Sequence, residues 1–166
     1  MDLLIRWCAQ VDDLGKDTYG YNILERVKCF EVTERARDVL ERKLDENPPL
    51  SIKRAELFKE LIMATHYEHN APVDVIKKRL LKLGGKPTIE EVELVLKTDY
   101  EVIITSKEES KVLGGSKTKT FSLDGQVING LGMSKTGGGK GRLKAVGSIV
   151  ITNAAKERLI ERLRGY

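Results

Sequence analysis

The spacing of apolar residues changes period several times along this chain, and each change marks out an element. Leu4, Arg6, Cys8 and Gln10 alternate with Ile5, Trp7, Ala9 and Val11, ahead of a turn-rich stretch at 12–20. That alternation fits an edge strand, and a helix nearly as well. Residues 27–32 (VKCFEV) are rich in β-formers and are expected to pair with the first strand.

From Thr33 the period becomes helical. Ala36, Val39, Leu40 and Leu44 recur on one face, with Asp38 and Arg42 one turn apart on the outside, until Asn47-Pro48-Pro49 stops the helix. Ser51 is a cap for a second helix, whose Ile52, Ala55, Phe58, Leu61 and Ile62 span an arc wide enough for burial on more than one side. Pro72 suits the first turn of a third, with Val73, Ile76, Leu80 and Leu83 as its stripe and Gly84-Gly85 as its end. Thr88 and Glu91 form a capping box that opens a fourth, with Ile89, Val92 and Leu96 directed inward.

Beyond Tyr100 strands return. Residues 100–105 (YEVIIT) read as one strand, and 143–152 (LKAVGSIVIT) as a second whose long apolar run predicts an interior position. Asp124-Gly125 signals a type I′ hairpin within 121–128. Asn153 is expected to cap a last helix with Ala155, Leu159 and Leu163 on one face and Arg162 and Arg164 near its carbonyl end. Val32-Thr33 before Ala36, Leu40 and Leu44 is echoed by Ile151-Thr152 before Ala155, Leu159 and Leu163, which is the common grammar of a strand running into a capped helix.

The fold class these elements predict is α+β: a helical layer, about residues 33–97, packed on a small, mainly antiparallel sheet and closed by a C-terminal helix. The whole chain, 1–166, reads as a single domain, with 33–97 its helical subregion and 98–166 a β-rich subregion holding a glycine-rich loop. At 166 residues it is long enough to bury roughly two thirds of its unfolded surface. Apolar residues at 40% and charged residues at 33% argue against wholesale disorder. No apolar run reaches the ~20 residues of a membrane span, and Asp2 and Arg6 interrupt the first segment as a signal peptide, so a cytoplasmic protein is expected. Cys8 and Cys29 then read as packed thiols rather than a disulfide.

Net charge is only +4, but its placement is uneven: residues 107–144 hold eight basic groups against Glu108, Glu109 and Asp124. The tightest portion is Ser134-Lys135-Thr136-Gly137-Gly138-Gly139-Lys140-Gly141-Arg142, where glycines let backbone N–H groups approach an anion. Phosphate contact is therefore expected through Lys117, Lys119, Lys135, Lys140, Arg142 and Lys144. A mobile solvated loop accounts for the same residues equally well. A nucleotide P-loop does not fit, because Lys140 precedes Gly141 rather than Ser or Thr and the segment is expected to enter a strand. Phe121 is the only aromatic in the window, too few for single-strand stacking.

Residues 72–97 resemble a helix-turn-helix in outline, yet Glu90, Glu91 and Glu93 open the second helix and would repel a duplex, so core packing is the stronger reading. His66 and His69, the only histidines, would share one face of a helix and could hold a metal with Glu60, Glu68 or Asp74. The blander account is two histidines in a helix's last turn, favoured by its dipole. GxSxG, CxxC and HExxH are all missing, Ser148 reads as a small packed residue, and Asp99 and Glu101 as solvated acids at a strand entrance.

The function these residues predict is a non-enzymatic nucleic-acid-binding or regulatory protein, for DNA or RNA, that needs no cofactor. A metal-dependent hydrolase or nuclease on His66 and His69, and an assembly or interaction module with a protein partner or a second copy, are the alternatives. No membrane partner is expected.

Overall fold

The computed structural model describes residues 22–69, 73–99, 102–132 and 139–166. The first expected strand, with Trp7 and Cys8, lies outside them, as does Lys135.

The first described element is helical, running into the strand expected at 27–32. Asn22 accepts the Glu25 N–H at 3.1 Å and donates its own N–H to the Glu25 carboxylate at 3.2 Å, a reciprocal cap that starts α1 (Ile23–Cys29). Ile23, Leu24 and Val27 are buried on its inner face. The predicted strand at 27–32 is thereby reduced to β1 (Glu31–Val32). Local β-propensity at Val27 loses to a cap and three buried contacts.

Thr33 caps α2 (Glu34–Glu46) by accepting the Ala36 N–H at 3.2 Å, and Ala36, Leu40 and Leu44 are buried as the periodicity predicts. Its exterior differs from expectation. Arg37 pairs with Asp38 at 2.7 Å, and Arg42 with Glu46 at 4.0 Å, in place of an Asp38–Arg42 pair. Ser51 bonds the Pro48 carbonyl at 2.7 Å and so caps nothing; α3 (Arg54–Ala64) starts at Lys53 without a side-chain cap. Leu57, Phe58 and Leu61 are its buried residues, whereas Ala55 is exposed.

Where a continuing helix would carry both histidines, α3 passes directly into β2 (Thr65–His69). The Thr65 hydroxyl donates to the Leu61 carbonyl at 3.1 Å and closes the helix, and the next residues pair with a central strand. A helical hairpin follows, α4 (Val73–Lys82) and α5 (Ile89–Asp99). Gly84, at φ 87°, makes the turn between them. Thr88 and Glu91 form the expected capping box at 3.2 and 2.9 Å, but Ile89 is exposed rather than inward.

β3 (Val102–Ser106) is buried at every position. It is the middle of a three-stranded sheet ordered β1-β3-β2, parallel to β1 and antiparallel to β2. Residues 143–152 do not form the interior strand that their apolar run suggests. The chain forms α7 (Gly139–Ala145) and then makes one antiparallel bridge, Thr33 to Val150, leaving Ile149 59% exposed. α8 (Asn153–Arg164) is capped by Thr152, not Asn153, and buries Ala155, Leu159, Ile160 and Leu163.

Between β3 and α7 lie α6 (Lys107–Gly114), β4 (Thr120–Leu123) and β5 (Gln126–Asn129). The hairpin is the one predicted, with Asp124 at φ 52° and Gly125 at φ 76°. The fold is thus α+β, with apolar clusters on the two faces of β3. Ile104 joins α1, α2, α3 and α8 in the larger cluster, and Ile103 joins Val112, Leu113, Leu123, Leu143 and Val146 in the smaller. A buried central strand reads as an unbroken apolar run because both of its faces are covered.

In the smaller cluster the backbones approach closely. A Cβ at Gly130 would sit against the Gly115 carbonyl and 2.5 Å from that of Ser116. Gly130→Ala is expected to cost about 2 kcal/mol, a fall in Tm of roughly 4–8 °C in thermal unfolding. An unchanged Tm would show that the turn yields.

Candidate functional site

Lys117 and Lys119 occupy a tight turn between α6 and β4, fixed by local bonds. The Ser116 hydroxyl meets the Thr118 hydroxyl at 2.9 Å, and the Lys119 N–H donates to the Ser116 carbonyl at 3.0 Å. The strand leaving the hairpin returns beside this turn. Gly130 N–H donates to the Lys119 carbonyl at 2.9 Å and Gly132 N–H to the Gly115 carbonyl at 2.7 Å. Gly132, at φ 71°, lies so near that a Cβ there would be 3.3 Å from Lys117 Cγ. The two lysines are both exposed, and no ion pair among the described residues includes them.

The glycine-rich segment re-enters the described chain as α7, so Lys140 lies in the first turn of a helix and not ahead of a strand. A P-loop still lacks its Ser or Thr, because Gly141 follows Lys140. Leu143 of α7 and Val146 just beyond it sit in the smaller cluster, and Lys144 on the helix is exposed.

Arg142 turns the other way. Its side chain is only 10% exposed, paired with Glu68 of β2 at 3.6 Å and donating to the Leu113 carbonyl, while its Nε has no partner. Burial pushes the Glu68 carboxyl up, and the Arg142 cation opposes that shift. This guanidinium ties α7 to β2 and α6. The C-terminal arginines are paired as well, Arg162 with Asp45 at 2.5 Å and Arg164 with Glu161.

Among the described residues lies a buried polar cluster that sequence reading does not single out. Glu109 is fully buried, and its Oε2 accepts from the Thr33 hydroxyl at 2.7 Å and the Ser106 N–H at 2.8 Å. Oε1 accepts from the Ser148 hydroxyl at 2.6 Å and from Arg35 at 3.4 Å. Arg35 also reaches Asp124 at the hairpin tip at 2.6 Å and the Val146 carbonyl at 3.0 Å. One carboxylate therefore joins the N-caps of α2 and α6 to the chain after α7. Ser106-x-x-Glu109 is a capping box legible in sequence, although nothing local announces Thr33 or Ser148 as its further partners. Arg35, Asp38, Val39, Arg42, Ser122 and Asp124 are among the residues lining an open cleft of about 410 Å³ beside this cluster.

The premise for a histidine metal site does not hold. His66 and His69 lie in β2, an extended strand, and not in the helix that the metal reading requires. His66 keeps surface exposure, yet packing around its ring and, secondarily, the Lys107 cation pull its pKa below the ordinary value. Among the described residues no group of three or more His, Cys, Asp or Glu side chains could hold a metal. No described helix is long and apolar enough to cross a membrane.

Compared with protein families, curated proteins and solved structures, the chain matches none.

Proposed function

We propose that this protein is a non-enzymatic binder of polyanions, nucleic acid foremost, that grips phosphates through lysines of the 107–144 segment. The observation that carries this reading is a division of labour among the cations. Lys117, Lys119 and Lys144 are exposed and outside every ion pair of the described residues, whereas Arg142 is turned inward to Glu68. Lys135 and Lys140 lie between them in sequence and complete the set. Arg142, included among the contacts on sequence grounds, belongs instead to the framework that presents them.

Five phosphate contacts imply a salt slope of about −4.5, so a fourfold rise in salt weakens binding roughly 500-fold. Titrating labelled DNA and RNA over a salt series measures that slope. Lys117→Ala with Lys119→Ala is expected to lower it by about 2 without changing Tm, whereas Arg142→Ala lowers Tm by leaving Glu68 buried and unpaired. Absence of binding at low salt defeats the proposal.

A further inference from the structure

The β4–β5 ribbon turns one face inward and leaves the other uncovered. Partners across an antiparallel pair share a face. Phe121 with Ile128 and Leu123 with Gln126 make up the inner one, and Phe121, Leu123 and Ile128 pack into the smaller cluster. Thr120 with Asn129 and Ser122 with Val127 make up the outer one, where all four are exposed, Val127 by 75%. The outer face thus offers two hydroxyls, one amide and one apolar side chain, and no charge.

Charge is placed around that face instead. Residues 110–132 hold Lys111, Lys117 and Lys119 against Asp124 alone, and Asp124 is already bound to Arg35 at 2.6 Å. The turn carrying Lys117 and Lys119 lies at the open end of the ribbon, next to the Thr120–Asn129 pair, where the Gly130 N–H donates to the Lys119 carbonyl at 2.9 Å. At the closed end Ser122 and Asp124 border a cleft that Asp38 and Glu108 also line, so acids turn phosphates away from the tip.

We propose that the partner is duplex DNA, read through its major groove by the outer face of this ribbon, an inference that rests on the polyanion reading above. The major groove of B-DNA, about 12 Å wide, admits a two-stranded ribbon, whereas that of an RNA duplex is too deep and narrow for side chains to read. Single strands are a poor fit, because Phe121 is packed inward and the outer face has no ring on which a base could stack. Lys117 and Lys119 then hold the backbone, which sets register and carries no sequence information. Asn129 pairs with the N6 and N7 edge of adenine, Thr120 hydrogen-bonds beside it and Val127 meets the thymine methyl. The expected site is therefore rich in A·T pairs.

Competition at low salt among short A·T duplexes, G·C duplexes and their single strands tests this directly. The unaltered protein is expected to bind the A·T duplex about tenfold more tightly than the G·C one. Asn129→Ala should remove most of that preference and leave the salt slope unchanged, whereas Lys117→Ala with Lys119→Ala should lower the slope and leave the preference. Replacing adenine with 7-deazaadenine, which lacks the N7 acceptor, should weaken binding by the unaltered protein and not by Asn129→Ala. Uracil in place of thymine should likewise weaken the unaltered protein and not Val127→Ala. Should either variant lose Tm, the two base replacements decide on the unaltered protein alone. Equal affinity for the two duplexes, tighter binding of single strands, or indifference to both base replacements overturns the ribbon inference while polyanion binding stands. Absence of binding to every probe overturns both.

Discussion

Glu109→Ala is expected to lower the free energy of unfolding by about 3–5 kcal/mol in urea denaturation, because it strips a buried cluster of its only shared acceptor. The Thr33 hydroxyl, the Ser106 N–H and the Ser148 hydroxyl would each lose a bond of 2.6–2.8 Å. Arg35 would keep Asp124 at 2.6 Å, so the loss falls mainly on the neutral donors and on the N-caps of α2 and α6. Glu109→Gln separates shape from charge. Its carbonyl can still accept on one side, but its amide would point donors at donors on the other, so about half the loss is expected. A loss below about 1 kcal/mol for Glu109→Ala would show that water replaces the carboxylate and that the cluster is not structural.

The second large effect lies on β3, where neighbouring residues serve different cores. Ile104→Ala and Ile103→Ala are each expected to cost about 3–4 kcal/mol, within the range for emptying a buried isoleucine site. The two side chains belong to separate apolar clusters and share no partners there, so the double variant should approach the sum of the two. Ile149→Ala, at a position 59% exposed, is the control and should be nearly silent. If Ile103→Ala were equally silent, α6, the hairpin and α7 would not form a core on that face of the sheet. Non-additivity would instead show that the two faces respond together.

Several elements were legible because their signals act across a few residues. Thr33 with the Ala36, Leu40 and Leu44 stripe located α2, Thr88 and Glu91 located α5, and Asp124-Gly125 located the β4–β5 hairpin. Short apolar runs misled. Residues 27–32 and 143–152 both read as strands, yet the first half of the former ends α1 and only Glu31–Val32 are strand, while the latter is the end of α7 followed by a single bridge. Propensity in such runs is a weak preference that burial of a different face overrides. Residues 65–69 erred the other way, carried as the end of a helix although pairing with β3 holds them extended.

By itself the sequence determined where α2, α5 and, to within one residue, α8 begin, the turn of the hairpin, the uneven spread of charge and the presence of a strand at 102–105. Caps, period and glycine conformation need no distant partner, and so these features survive translation from chain to structure. Only the tertiary structure decided which cations face solvent and which are spent inside. Arg142 looked like the lysines around it until β2 brought Glu68 within 3.6 Å. Likewise Glu109 read as one more surface acid until Thr33 and Ser148, 76 and 39 residues away, closed around it. Desolvation and long-range pairing set those fates, and both depend on neighbours that adjacency in sequence does not supply.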